Sequence, residues 1–165
     1  MDAPASPRGS LAYLWLTLAV IGTDQLVKAV LVRSLALYES VVLLPVLQFT
    51  HLHNPGAAFS FLATADGWQR WLFTALALVV SAALVFWLQR IERGAPLLAC
   101  AVALILGGAL GNAIDRLRLG YVIDFVQVHW GVHYFAAFNV ADAAISVGAA
   151  LLLLDSLLAS RRGHA

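Results

Sequence analysis

The sequence predicts a membrane α-helical protein: four transmembrane helices with a small β-rich cap at their outer interface. Three observations carry this. Hydrophobic residues make up 62% of the 165 residues and charged residues only 12%, whereas a soluble globular domain is nearer half apolar and a quarter charged. Four stretches are apolar over the length needed to cross a hydrocarbon core of about 30 Å at about 1.5 Å per residue. Two other stretches are rich in β-branched and aromatic residues and are punctuated by proline and glycine, as strands and turns are. The mean hydropathy of +0.86 excludes disorder and argues against a compact soluble enzyme. The lone cysteine, Cys100, forbids an internal disulfide framework and a cysteine-only metal site. The formal net charge of +1 gives no reason to expect a polyanion, so nucleic acid is not an expected partner. One domain covering residues 1–165 is expected, with 1–10 and 160–165 as tails.

The first span runs from about Leu11 to Val32. Arg8 could open a cleavable signal peptide, but the apolar run is longer than an h-region and contains Asp24 and Lys28, so retention is expected. Val41–Leu62 follows, reading VVLLPVLQFTHLHNPGAAFSFL, a strand-like segment broken by Pro45, Pro55 and Gly56. The second span is Trp71–Leu88 and the third Pro96–Ile114. Tyr121–Phe135, YVIDFVQVHWGVHYF, is again strand-like with a break at Gly131, and the fourth span is Asn139–Ala159. Four spans put both termini on one side. That side carries Arg8, Arg90, Arg93, Arg161 and Arg162, against Arg33, Arg70, Arg116 and Arg118 on the other. The short basic loop Gln89–Ala95 tips this small bias toward cytoplasmic termini. Both strand-like segments then fall outside, where backbone that cannot face lipid forms the cap. Trp68, Trp71, Trp130 and Tyr134 suit an aromatic belt there.

Ionisable groups inside an apolar chain are costly, so the few present are informative. Asp24 and Lys28 stand at i and i+4 and can pair; the ion pair accounts for Lys28, while Asp24 stays open as an organiser of a site. In HNPG, Asn54 before Pro55 and Gly56 suggests a turn held by the Asn side chain, and Gly56, Ala57 and Ala58 allow close backbone approach. In GGALGNAIDR, small Gly107, Gly108 and Gly111 suit tight helix packing. Asn112, Asp115 and Arg116 follow at i, i+3 and i+4, an arrangement read as a hydrogen-bonded Asp–Arg clamp stapling the end of the third span. Asp124 of VIDF stands among apolar neighbours, where a carboxyl pKa rises. In FNVAD, Asn139 suits a helix cap, and Asp142 lies about one turn further in. Asp124 and Asp142 both belong at the outer interface. If they meet, they would share a proton as an aspartic peptidase pair does, though spacing alone does not bring them together.

Taken in order, TDQLVK, HNPGAAFSF, GGALGNAIDR, VIDF and FNVAD resemble the lipoprotein signal peptidase (signal peptidase II) family, over about Asp24 to Gly148. The resemblance implies an aspartic endopeptidase of the bacterial inner membrane. It would remove signal peptides from diacylglyceryl-modified prolipoproteins by cutting before the lipobox cysteine, near the periplasmic face. It implies Asp124 and Asp142 as the catalytic pair. Asp24, Asn54, Gly56, Asn112, Asp115, Arg116 and Asn139 would support the site or contact substrate. It further implies no metal and no cofactor, the phospholipid bilayer as surroundings, and the cyclic peptide globomycin as inhibitor. A monomer is assumed because no feature demands more.

Two other classes compete. A proton-coupled carrier could use Asp24, Asp115, Asp124 and Asp142, but needs polar residues through the bilayer midplane, and the fourth span offers only Asp142 and Asp155 near opposite ends. A metal peptidase could use His129 and His133, but HWGVH lacks the glutamate of H-E-x-x-H and sits in strand-like surroundings. A Ser–Lys mechanism would need Lys28, the only lysine, which Asp24 already explains.

Overall fold

The structure is a computed structural model that describes residues 7–56 and 67–162. A 3-10 turn, Pro7–Tyr13, leads into helix α1, Leu14–Ser34. Strands β1, Ser40–Leu44, and β2, Leu47–Asn54, come next. Helices α2, Trp68–Arg90, and α3, Pro96–Arg118, follow. Strands β3, Val122–Trp130, and β4, His133–Tyr134, precede helix α4, Val140–Arg162. The strands form one antiparallel sheet in the order β1-β2-β3-β4. Among the described residues, four helices are long and apolar enough to span a membrane, and the expected fold class holds. Residues 57–62 of the first strand-like segment, with Ala57 and Ala58, lie outside the described residues.

The helices bury polar residues and expose apolar ones. On α1 the inward face is Thr17, Val20, Asp24, Lys28 and Leu31, whereas Trp15, Leu18, Leu26 and Val30 are exposed. Lipid replaces water outside, so apolar burial cannot hold the helices together, and close packing and hydrogen bonds do so instead. Helix α3 is the central one: 56% of its span is buried, against 28% or less for each of the others. Its glycines set the spacing. A Cβ on Gly107 would lie 2.8 Å from the Val20 side chain of α1, and one on Gly108 would run into the Ala141 carbonyl oxygen of α4. Thr17 Oγ1 donates to the Ala103 carbonyl at 2.9 Å, adding a hydrogen bond between α1 and α3.

Helix α3 runs one turn past its expected end at Ile114. Its last polar side chains find buried partners, so they do not stop the helix. Gly120 stops it, at φ +92°, a conformation that favours glycine. The cap seats on a small apolar cluster of Leu31, Ile123 and Phe125. Gly131, at φ +58°, makes the turn between β3 and β4 where the sequence breaks. Trp68, Trp71, Trp130 and Tyr134 are each more than half exposed, as an interfacial belt requires.

Candidate active site

The cap and the helices enclose a cleft of about 690 Å³ whose lining includes Asn54, Asn112, Arg116, Asp124 and Asp142. Asp124 enters from β3. Its partner across the sheet is Leu52, so Asn54, two residues on, shares its face. Asn54 Nδ2 donates to Asp124 Oδ2 at 2.9 Å, while Asn54 Oδ1 accepts from the Gly56 N–H at 3.0 Å. The turn expected at Asn54-Pro55-Gly56 is therefore closed by the residue that also holds Asp124.

Asp142 enters from the first turn of α4. Asn139 Oδ1 accepts from the Asp142 N–H at 2.9 Å, and Asp142 Oδ2 accepts from the Asn139 N–H at 3.2 Å. This is a capping box, which satisfies two otherwise orphaned donors at the helix start. Asn139 is the cap the sequence suggests, but it is fully buried and its other atoms face the site. Asn139 Nδ2 donates to Asp124 Oδ1 at 2.8 Å. One side chain thus holds Asp124 and Asp142 at once.

Beneath this pair lies a buried ionic layer. Lys28 Nζ is 2.7 Å from Asp24 Oδ2 and 2.7 Å from Asp115 Oδ2. Asp24 Oδ1 accepts from the Ala141 N–H of α4 at 3.0 Å, and Asp115 accepts from Gln25 Nε2 and the Ile123 N–H. Asn112 joins the layers. Its Oδ1 accepts from Lys28 Nζ at 3.2 Å and from Asn139 Nδ2 at 3.1 Å, and its Nδ2 donates to Asp142 Oδ1 at 2.8 Å. Two donors on Oδ1 leave only the amide hydrogens for Asp142, so Lys28 fixes which way Asn112 faces.

The expected Asp115–Arg116 clamp does not form. Successive helical residues point about 100° apart, so Asp115 turns inward to Lys28 while Arg116 turns to the cleft. Arg116 Nη2 donates to the Gly56 carbonyl at 2.9 Å, and its guanidinium lies over the Phe73 ring, 5.3 Å from the centroid. It holds the Asn54–Gly56 turn against α3.

Burial pushes the Asp124 carboxyl up to about 6; the hydrogen bond from Asn54 opposes that rise and the charge of Asp142 adds to it. A proton is therefore exchangeable at this site near neutral pH. Among the described residues, no three His, Cys, Asp or Glu side chains are grouped to hold a metal ion. His51 and His53 face each other, Nε2 to Nε2 at 3.1 Å, and His129 stacks on Tyr134.

Residues 16–158 match the family model described as signal peptidase (SPase) II. The chain belongs to the signal peptidase II family. The lipoprotein signal peptidase of Pseudomonas aeruginosa strain UCBPP-PA14 is 52% identical over 159 residues, covering 95% of this chain and 94% of that protein. That of Pseudomonas putida strain KT2440 is 54% identical over 158 residues, covering 94% and 92%. A bacterial membrane enzyme solved by the in meso method at 2.3 Å resolution superposes with a TM-score of 0.81 at 26% identity, covering 90% of this chain and 89% of that one. A second such structure, at 1.9 Å resolution, gives a TM-score of 0.77 at 26% identity over 88% and 92%. This chain is thus a multi-pass membrane protease of the signal peptidase II family. The family match contains every site residue named above. Sequence spacing missed the reach of Lys28 to Asp115 and Asn112, because those partners are 87 and 84 residues away; the signal available was that Lys28 is the only lysine in the chain.

Proposed function

We propose that this protease is an aspartic endopeptidase that removes signal peptides from diacylglyceryl-modified prolipoproteins, cutting before the lipobox cysteine. The single observation that carries the chemistry is that Asp124 and Asp142 line one cleft and are tied together through Asn139. One carboxylate takes a proton from a water molecule as its oxygen attacks the scissile carbonyl. The other, protonated, donates to the carbonyl oxygen. Collapse of the tetrahedral diol breaks the C–N bond: the amine leaves with the proton first drawn from water, and the diol returns a proton to the second carboxylate. The amides of Asn54, Asn112 and Asn139 hold both carboxyl groups in place. Asp24 and Asp115, through Lys28, secure α1, α3 and α4 beneath them. Arg116 shapes the cleft wall and holds the Gly56 carbonyl beside it.

The substrate class rests on family membership and on depth. The cleft lies where the cap meets the helices, so a scissile bond next to a diacylglyceryl cysteine can reach it while the acyl chains stay in lipid. The strands β1 and β2 then cover the bound peptide and move to admit it. Both termini are cytoplasmic in the bacterial inner membrane, the cleft is near the periplasmic face, the protein acts as a monomer without metal or cofactor, and globomycin occupies the cleft as inhibitor.

The test is cleavage of a diacylglyceryl-modified prolipoprotein by purified protein in detergent, beside the unlipidated precursor. Only the lipidated form is expected to be cut, and Asp142→Asn and Asp124→Asn are each expected to lower the rate at least about 100-fold. An Asp142→Asn variant as fast as the parent would remove the aspartate pair as the mechanism. Equal cleavage of both precursors would remove the lipid requirement.

A further inference from the structure

A second cavity, about 250 Å³, opens between the cap-ward ends of α1 and α3 and shares no lining residue with the cleft. Arg33, in the last turn of α1, and Arg118, the last residue of α3, both line it. Both are exposed, and neither makes an ion pair among the described residues. Arg118 reaches Gln25 Oε1 only at 3.5 Å. The one carboxylate in the lining, Asp115, already accepts from Lys28, Gln25 and the Ile123 N–H. Lys28, Arg33 and Arg118 thus line the cavity against one carboxylate, and neither arginine pairs with it.

Each arginine by itself complements the negative end of its own helix. That does not explain why both line one cavity, nor what surrounds them. Val32 and Leu119, 44% and 42% exposed, also line it, and Leu26 and Val30 of the same helix are exposed. Two arginines and apolar side chains thus share one cavity at the level where the spans end, which suits the junction between acyl chains and headgroups. Arginine binds phosphate oxygens with charge-assisted hydrogen bonds.

We infer that this cavity binds the phosphodiester of an anionic phospholipid from the leaflet on the cap side, held by Arg33 and Arg118, with an acyl chain against Val32 and Leu119. Free phosphate shares the headgroup chemistry but has no use for the apolar lining. The bound lipid would brace the outer ends of α1 and α3, which together carry Asp24, Lys28, Asn112 and Asp115.

The test is native mass spectrometry of the purified full-length chain, titrated separately with phosphatidylglycerol and phosphatidylcholine, and with inorganic phosphate added to the phosphatidylglycerol complex. Retention of phosphatidylglycerol over phosphatidylcholine is expected, with its affinity falling about fivefold for each arginine removed in Arg33→Gln and Arg118→Gln. An Arg90→Gln/Arg93→Gln variant, altered at the opposite ends of the helices, should keep the parental affinity. Equal retention of the two lipids would overturn the site, as would parental affinity in the Arg33→Gln/Arg118→Gln variant or an equal loss in the Arg90→Gln/Arg93→Gln control. Displacement by inorganic phosphate at concentrations matching the lipid would make it a free-anion site and overturn the lipid assignment. Both arginines are exposed, so the variants fold, which circular dichroism checks.

Discussion

Asp124 accepts a hydrogen bond on each carboxylate oxygen, from Asn54 and from Asn139, yet burial outweighs both and lifts its pKa to about 6 from the ordinary 3.8. Between those values the folded chain holds more protons than the unfolded one. The contribution of Asp124 to stability is therefore full below about pH 4 and is lost as pH rises through about 6. The difference is on the order of 3 kcal/mol. Asp124→Asn cannot ionise, so it lacks this dependence, whatever its stability at any one pH. Thermal unfolding in detergent from pH 4 to 8 should show the parent losing ground to the variant across that window. Parallel curves would mean that Asp124 is not buried against its charge. Lys28 is held by its partners. It is nearly fully buried between two carboxylates, and a buried charge of this kind persists only when its partners are close and in place. The i, i+4 spacing made its pairing with Asp24 legible. Its bonds to Asp115 and Asn112 depend on how α3 sits beside α1, and local spacing does not encode that.

At the scale of elements, close approach to α3 determines whether the site forms. Gly108→Ala would drive a methyl group into the Ala141 carbonyl oxygen, a backbone atom in the first turn of α4. That turn also presents Asp142 and the N–H bound by Asp24, so a shift there opens the site as well as the packing. A loss of about 1–3 kcal/mol is expected, as for overpacking elsewhere, together with a loss of cleavage. Gly22→Ala is the matched control. Nothing lies within 4 Å of a Cβ at Gly22, and removing an interior helix glycine should gain about 0.5–1 kcal/mol. Chemical denaturation of both variants checks the pair; equal effects would mean that contact with α4 does not set the position of α3. The glycines were legible as packing residues, but which helix each one meets was not. Local sequence reads side-chain size, whereas the neighbour follows from the fold. The same limit explains the end of α3. Asn112, Asp115 and Arg116 look like the edge of a span until Lys28 and the Gly56 carbonyl are found as their partners. The cap strands were legible from composition. Their register was not, because β2 pairs with β3 from the far side of two helices and both β1–β2 and β2–β3 carry a register shift.

For the whole molecule, the arrangement has direction. Asp124, Asp142 and the sheet gather at one end of the helices, and the short α2–α3 connection around Glu92 lies at the other. Five arginines against four is a weak orienting bias, and the positive-inside rule weighs charges close to the spans, so Arg90 and Arg93 beside that connection carry most of it. With that end in the cytoplasm, the cleft opens toward the periplasm. A signal peptide inserted with its own basic end in the cytoplasm then presents its cleavage region to Asp124 and Asp142. Single-cysteine labelling decides the matter. In a Cys100→Ala background, Glu92→Cys and Trp130→Cys put one thiol at each end, both at exposed positions. A membrane-impermeant maleimide applied to intact spheroplasts should label Trp130→Cys at once and Glu92→Cys only after permeabilisation. The reverse pattern would put the aspartates on the cytoplasmic face. A substrate crossing in the usual orientation would then present only its basic end to the cleft, and the proposed cleavage could not take place there.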